Sequence, residues 1–179
     1  SLAVGKSKAT NLLNSEDVIS TLNCLKKLGV IIKHNKKFCE ITGRGLGSFN
    51  NKKNLILNAG NSGTAARLLM AALVKSKNTI KITGDNSLKK RDMSRIVQPL
   101  QKFGAEFINN KKTLPIYIKG SNFLKPIIYD ELRGSAQCKS TVMIAALNVN
   151  GKTKLRCVPS RNHSELIFKN VLKIPIRIK

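Results

Sequence analysis

The chain has no tryptophan, and aromatic residues make up only 4% of its 179 residues. Acidic residues are equally scarce, with 9 Asp+Glu against 33 Lys+Arg, for a formal net charge of +24. Each shortage excludes something. Such a charge suggests a nucleic-acid partner, but a specific reader of single strands needs aromatic faces for the bases to stack on. The lysines also lie scattered along the whole length as singles or pairs, such as Lys26-Lys27, Lys52-Lys53 and Lys111-Lys112. The expectation is therefore loose, salt-sensitive binding and no specific nucleic-acid role. With so few carboxylates, no Asp or Glu stands out as a general acid or base. The four cysteines, Cys24, Cys39, Cys138 and Cys157, form no C-x-x-C pair, and only His34 and His163 could join them, so no metal is expected. Cys24 and Cys138 fall in helix-like apolar stretches and read as buried free thiols. No apolar run is long enough to span a membrane and no secretory signal is seen, so the expectation is a soluble, cytoplasmic protein.

What is present is organised around Asn58–Leu73, NAGNSGTAARLLMAAL. Gly60 to Thr64 is small, polar and flexible, and Ala65 to Leu73 is a strong helix former interrupted only by Arg67. A polar loop feeding a helix start turns free N–H groups outward at the positive end of the helix dipole, which suits a phosphate or carboxylate. The loop alone is equally an ordinary capped helix, with Asn61, Ser62 or Thr64 as N-cap.

The pattern recurs. Gly134–Leu147, GSAQCKSTVMIAAL, lays over Gly60–Leu73 without a gap, Gly134 on Gly60 and Ala145-Ala146-Leu147 on Ala71-Ala72-Leu73. Asp17–Val30 likewise lays over Asp92–Ala105, with Gly29 on Gly104 where each helix ends. Each of these helices leads into a strand, an Asn-Lys-Lys turn and another strand: Val30–Lys33 then Phe38–Thr42, and Glu106–Ile108 then Leu114–Ile118. His163–Lys173 begins a third copy but meets Pro175 where a glycine is expected. A spacing of about 75 residues is too long for a simple solenoid and indicates a domain assembled from copies of a mixed unit.

Further strands are expected at Leu12–Leu13, Leu55–Leu57, Thr79–Thr83, Pro126–Tyr129 and Lys154–Val158, a turn at Gly43–Gly47, and Asn14 or Ser15 as the first helix cap. Gly5-Lys6-Ser7 lacks the upstream glycine and strand of a phosphate-binding P-loop. Arg91 and Arg161 each stand just before a helix, and either is a surface arginine or a bidentate partner for a carboxylate or phosphate. Ser160 reads as a cap or ligand, and His163 as a cap or surface residue. Two matched loops and two arginines describe a cradle for a polyanionic small molecule, without a nucleophile or acid–base pair.

LNAGNSGTAARLL, RDMSRIVQPLQKFGAEF, GSAQCKSTVMIAAL and SRNHSE, in that order, together with NLLNSEDV and LKKLGV at the front, resemble the 5-enolpyruvylshikimate-3-phosphate (EPSP) synthase family along essentially the whole chain. The resemblance implies an α+β fold, with repeated βαβαββ-type units forming one α/β-prism domain of an enolpyruvyl transferase. The units would run approximately 1–50, 51–120 and 121–179, the last truncated. It implies transfer of the carboxyvinyl group of phosphoenolpyruvate to shikimate 3-phosphate, in aromatic amino acid biosynthesis, with no cofactor. Asn61, Gly63 and Thr64 would line the phosphoenolpyruvate pocket, and Arg91 would bind that substrate. Bulk at Gly63 would exclude the inhibitor glyphosate more than the substrate. Ser135, Ala136 and Gln137 would hold shikimate 3-phosphate, Gln137 reaching both substrates. Ser160 would bind shikimate 3-phosphate, Arg161 assisting, and Arg67 would support the loop. The family's early Lys-Ser…Arg motif and its second domain, with the catalytic Asp and Lys-Glu groups, are not found in these residues, so no catalytic residue is assigned and the isolated chain is expected to be inactive. Two alternatives stand beside this reading: a basic RNA-binding module, and a relative of UDP-N-acetylglucosamine enolpyruvyl transferase, which would be expected to carry a reactive Cys or Asp on a loop in this half.

Overall fold

A computed structural model describes residues 1–49, 52–109 and 111–176. The expected unit boundary at 50/51, the first residue of the second Asn-Lys-Lys turn and the end of the KIPIRIK tail lie outside the described residues. Three small sheets and five α-helices follow one another in the described chain. The first sheet has the order β1-β3-β2, from β1 (Val4–Thr10), β2 (Ile31–His34) and β3 (Phe38–Arg44), and is antiparallel throughout. Helix α1 (Glu16–Lys27) precedes β2, with Ser15 as its N-cap accepting from the Val18 N–H at 3.4 Å.

The second sheet comes from a continuous β-α-β-α-β-β run. It comprises β4 (Leu55–Asn58), α2 (Gly63–Ala72), β5 (Ile80–Thr83), α3 (Ser94–Phe103), β6 (Glu106–Phe107) and β7 (Ile116–Lys119), in the order β4-β5-β7-β6. β4 and β5 run parallel, as the α2 crossover requires, while β7 is antiparallel to β5 and β6. β8 (Ile128–Glu131) and β9 (Lys154–Cys157) form a parallel pair joined by α4 (Ala136–Ala146), and α5 (His163–Leu166) continues into one π-type turn at Ile167–Val171.

Helix α2 is the centre of the core. Seven of its ten residues are buried, so it has no solvent stripe, and it packs against α1, α3 and α4. Its small first turn, Gly63, Ala65 and Ala66, lets neighbouring elements approach the backbone closely. α3 is amphipathic instead, burying Ile96, Val97, Leu100 and Phe103 at helical spacing. Ile80 and Ile82 of β5 and Ile116 and Ile118 of β7 close the other side of the core, all fully buried. Gly29 and Gly104 both take the left-handed conformation that ends a helix, as the repeat predicts.

Two expectations need correction. Leu12–Leu13 is not a strand; the first strand is Val4–Thr10, which contains Gly5-Lys6-Ser7. Every residue of β1 is exposed, so no alternation marks it, and its pairing with β3 from Val4↔Arg44 to Thr10↔Phe38 is the visible reason for its extension. Gly43 and Arg44 likewise belong to β3 and not to a turn. Among the described residues no helix is long and apolar enough to cross a membrane.

Candidate substrate site

The two loops that the sequence pairs do meet in space. Ser62 caps α2, its hydroxyl accepting from the Ala65 N–H at 3.1 Å, and Ser135 caps α4, accepting from the Cys138 N–H at 3.3 Å. The gapless overlay holds to the helix ends, Ala72 and Ala146, but slips at the start: α4 begins one residue earlier after its glycine. Gly60 and Gly134, both left-handed, make the turns that precede the caps.

Gln137 joins the loops. Its side-chain amide N–H donates to Thr64 Oγ1 at 2.9 Å, and its Oε1 accepts from Arg67 Nη1. On the other flank, Arg91 Nη2 donates to Asn61 Oδ1 at 3.1 Å, and the Asn61 amide donates to Asp85 Oδ2 at 2.7 Å. Asp85 also accepts from the Leu88 N–H at 2.7 Å; this bond first, then Asn61, lowers its pKa below the usual carboxylate value. Gly63 faces both arginines: a Cβ there would lie 3.2 Å from Arg91 Nη1 and 3.4 Å from Arg67 Nη1. Burial lowers the Arg67 pKa, and the charges of Arg91 and Arg95 add to the effect. Arg67 and Arg91 thus meet at α2's first turn, with Arg95 within electrostatic reach of Arg67, a setting that favours an anion.

Beside this cluster lies a cleft of about 240 Å³ lined by Thr64, Leu68, Ala136, Gln137, Ser140, Arg161, His163 and Ser164. Its lining carries hydroxyls, an amide, an imidazole and a guanidinium, and no carboxylate. Ser140 and Ser164 are hydrogen-bonded to each other at 2.5 Å. Of the residues singled out from sequence, Thr64, Ala136, Gln137 and Arg161 line the cleft, and Asn61, Gly63 and Arg91 form the adjoining cluster. The Ser135 hydroxyl is engaged as a cap. Ser160 stands outside the lining, its Oγ buried without a partner. His163 is the first residue of α5, with Asn162 at the cap position; it is exposed, as a surface residue would be, and also lines the cleft.

Besides Asp85, sequence reasoning missed two ionic residues. Lys139, only 3% exposed, reaches Glu165 Oε1 at 2.5 Å and the Arg161 carbonyl at 2.9 Å, tying α4 to the segment that carries Ser160 and Arg161. Glu131 accepts from Arg95 Nη2 at 2.6 Å and from the Ser135 N–H at 2.7 Å. Burial alone would raise its pKa, but the Ser135 and Arg95 bonds outweigh burial and hold it low. A lone charge in the otherwise uncharged AQCKSTVMIAA helix was the available signal for the first; nothing local marked the second.

Gly63→Val is expected to push Arg91 and Arg67 apart, since even its Cβ would stand 3.2 Å from one guanidinium and 3.4 Å from the other. Binding of inorganic phosphate, followed by calorimetry, should weaken roughly tenfold or more, with a stability change below about 2 kcal/mol.

A family model for EPSP synthase (3-phosphoshikimate 1-carboxyvinyltransferase) matches residues 1–178. The chain belongs to this family. A 3-phosphoshikimate 1-carboxyvinyltransferase of Caldicellulosiruptor saccharolyticus is 41% identical over 173 residues, covering 95% of this chain and 40% of the relative. One of Thermoanaerobacter sp. is 42% identical over 170 residues, again covering 40% of its length. The solved EPSP synthase of Acinetobacter baumannii superposes with a TM-score of 0.86 at 36% identity, over 94% of this chain and 38% of that one. The chain thus spans about 40% of the length of the curated relatives it matches. The α+β enolpyruvyl transferase fold expected from the motifs is the fold found. Neither alternative is supported: the family match, over residues 1–178, is to EPSP synthase, not to an RNA-binding module or the UDP-N-acetylglucosamine enzyme.

Proposed function

We propose that these 179 residues form one face of a carboxyvinyl transferase site, binding shikimate 3-phosphate and phosphoenolpyruvate between the α2 and α4 loops. The observation that carries the reading is Gln137, which touches Thr64 and Arg67 from the other loop and so stands where two adjacent ligands would meet. Asn61, Gly63, Thr64 and Arg91 would take phosphoenolpyruvate, with Arg91 on its phosphate or carboxylate. Ser135, Ala136, Gln137, Ser160 and Arg161 would take shikimate 3-phosphate, and the partnerless Ser160 Oγ is in keeping with a hydroxyl that awaits a ligand. No cofactor enters this reading. The domain would consist of three related units, the middle one being the complete β-α-β-α-β-β run, and it would act in the cytoplasm.

Such a face supplies orientation and charge, the two largest contributions available to a reaction between two anions. Proton transfer needs a positioned acid–base group, and beyond the exposed His163 imidazole the residues lining the cleft provide none, so these 179 residues are expected to bind both substrates without turning them over by themselves. Calorimetric titration tests this. Shikimate 3-phosphate should bind at least tenfold more tightly than inorganic phosphate or a short RNA, and its binding should survive salt that removes the RNA. Equal affinity for shikimate 3-phosphate and phosphate, or unaided release of phosphate from the two substrates, would contradict the proposal.

A further inference from the structure

Glu131 ends β8 and is 4% exposed, the most deeply buried carboxylate among the described residues. Its two oxygens face different elements. Oε1 accepts from Arg95 Nη2 of α3, and Oε2 accepts from the N–H of Ser135, the cap of α4, with the Arg133 N–H alongside. The carboxylate therefore ties α3 to the loop that presents Ala136 and Gln137. It also meets only one of the three clustered arginines. Arg67 is bonded to the neutral Gln137 amide and Arg91 to the Asn61 amide, behind which stands the Asp85 carboxylate, while Arg95 is matched directly by a full negative charge.

We infer that Glu131 is a positioning residue with two effects: it fixes the Ser135–Gln137 loop, and by neutralising Arg95 it sets how much positive charge the arginine cluster offers an anion. This rests on the reading of the α2 and α4 loops as the substrate site. The two effects pull in opposite directions when the charge is removed. A small ion such as inorganic phosphate needs charge and little geometry. A ligand with a ring and several hydroxyls needs the loop in place.

The test compares the chain with Glu131→Gln and Arg95→Gln. For Glu131→Gln, inorganic phosphate is expected to bind about three- to tenfold more tightly at low salt, because Arg95 is no longer cancelled. Shikimate 3-phosphate is expected to bind about tenfold more weakly, and the Ser135 amide to exchange faster with solvent without ligand. A purely structural role would weaken both ligands together. Glu131→Gln is nearly isosteric and leaves only the partly exposed Arg95 guanidinium to solvent, so it should fold; Arg95→Gln is the more destabilising change. It leaves the buried carboxylate uncompensated, so phosphate binding is expected to fall about three- to tenfold and the Ser135 amide again to exchange faster.

Parallel weakening of both ligands in Glu131→Gln overturns the inference, as does an unchanged phosphate affinity and Ser135 exchange in either variant. An unsubstituted chain that binds shikimate 3-phosphate no better than phosphate overturns the substrate reading instead, and Glu131 is then judged on phosphate affinity and Ser135 exchange alone.

Discussion

Lys139→Ala is expected to destabilise the protein by about 3 kcal/mol, because it leaves Glu165 as an uncompensated charge in a largely buried position. The Glu165 side chain is 14% exposed, and its second oxygen, Oε2, is buried without a partner. Lys139 Nζ at 2.5 Å is thus the main compensation for that charge, and it also holds the Arg161 carbonyl. For a chain of this size the loss corresponds to roughly 6–12 °C in the unfolding midpoint, measurable by circular dichroism. Converting both partners, as Lys139→Met with Glu165→Leu, should restore most of the stability, since a buried ion pair gives little net gain over apolar residues of similar volume. The double variant should still bind shikimate 3-phosphate weakly, because Arg161 has lost its tether to α4. Lys139→Ala within about 1 kcal/mol of the unsubstituted chain would show that the pair is solvated and does not anchor the segment.

Gln137→Ala is the largest expected effect on binding. The substitution removes the link between Thr64 and Arg67 and leaves Arg67 close to Arg91 and Arg95 without its neutral partner. As the residue proposed to reach both ligands, Gln137 would give them two hydrogen bonds, one of them charged, and their loss corresponds to about 2.5 kcal/mol, or close to a hundredfold in shikimate 3-phosphate affinity. Stability should change by only about 1 kcal/mol, because the apolar parts of α2 and α4 still pack together. RNA binding driven by net charge alone would be indifferent to the substitution. A shikimate 3-phosphate affinity within threefold of the unsubstituted chain would remove Gln137 from the site.

The sequence was most informative where periodicity and special backbone conformations coincide. Gly29 and Gly104 mark helix ends in both places because a left-handed residue is needed there, and the apolar run after Gly63 marks the central helix because that helix is buried nearly all round. Val4–Thr10 was missed for the opposite reason. It is exposed along its whole length and is paired through its backbone to β3, so its side chains carry no record of the strand. Gly43 was misread as part of a turn. It lies in β3 where residues 1 to 3 cross, and a Cβ would fall 2.0 Å from the Ala3 carbonyl oxygen, so the missing side chain serves a close crossing instead of a bend.

The site shows the same division. Asn61, Gly63, Thr64, Arg91 and Gln137 could be found because they sit in loops that repeat or just ahead of helices. Glu131, Lys139 and Asp85 could not be placed as supports, because their partners are 4, 26 and 24 residues away in Ser135, Glu165 and Asn61, and only folding brings most of these together. Scarcity of acid was itself a clue. In a chain with 9 carboxylates, those at Glu131, Glu165 and Asp85 each engage a cation or a donor at the loops or arginines of the site.

The most direct measurement is amide NMR of the chain titrated with shikimate 3-phosphate, with inorganic phosphate titrated in parallel. Selective shifts at Ser135, Gln137, Ser160 and Arg161, absent with phosphate alone, are expected if the α2 and α4 loops form the substrate cradle. Saturating shifts confined to the scattered lysines, or the same response to both ligands, would contradict it.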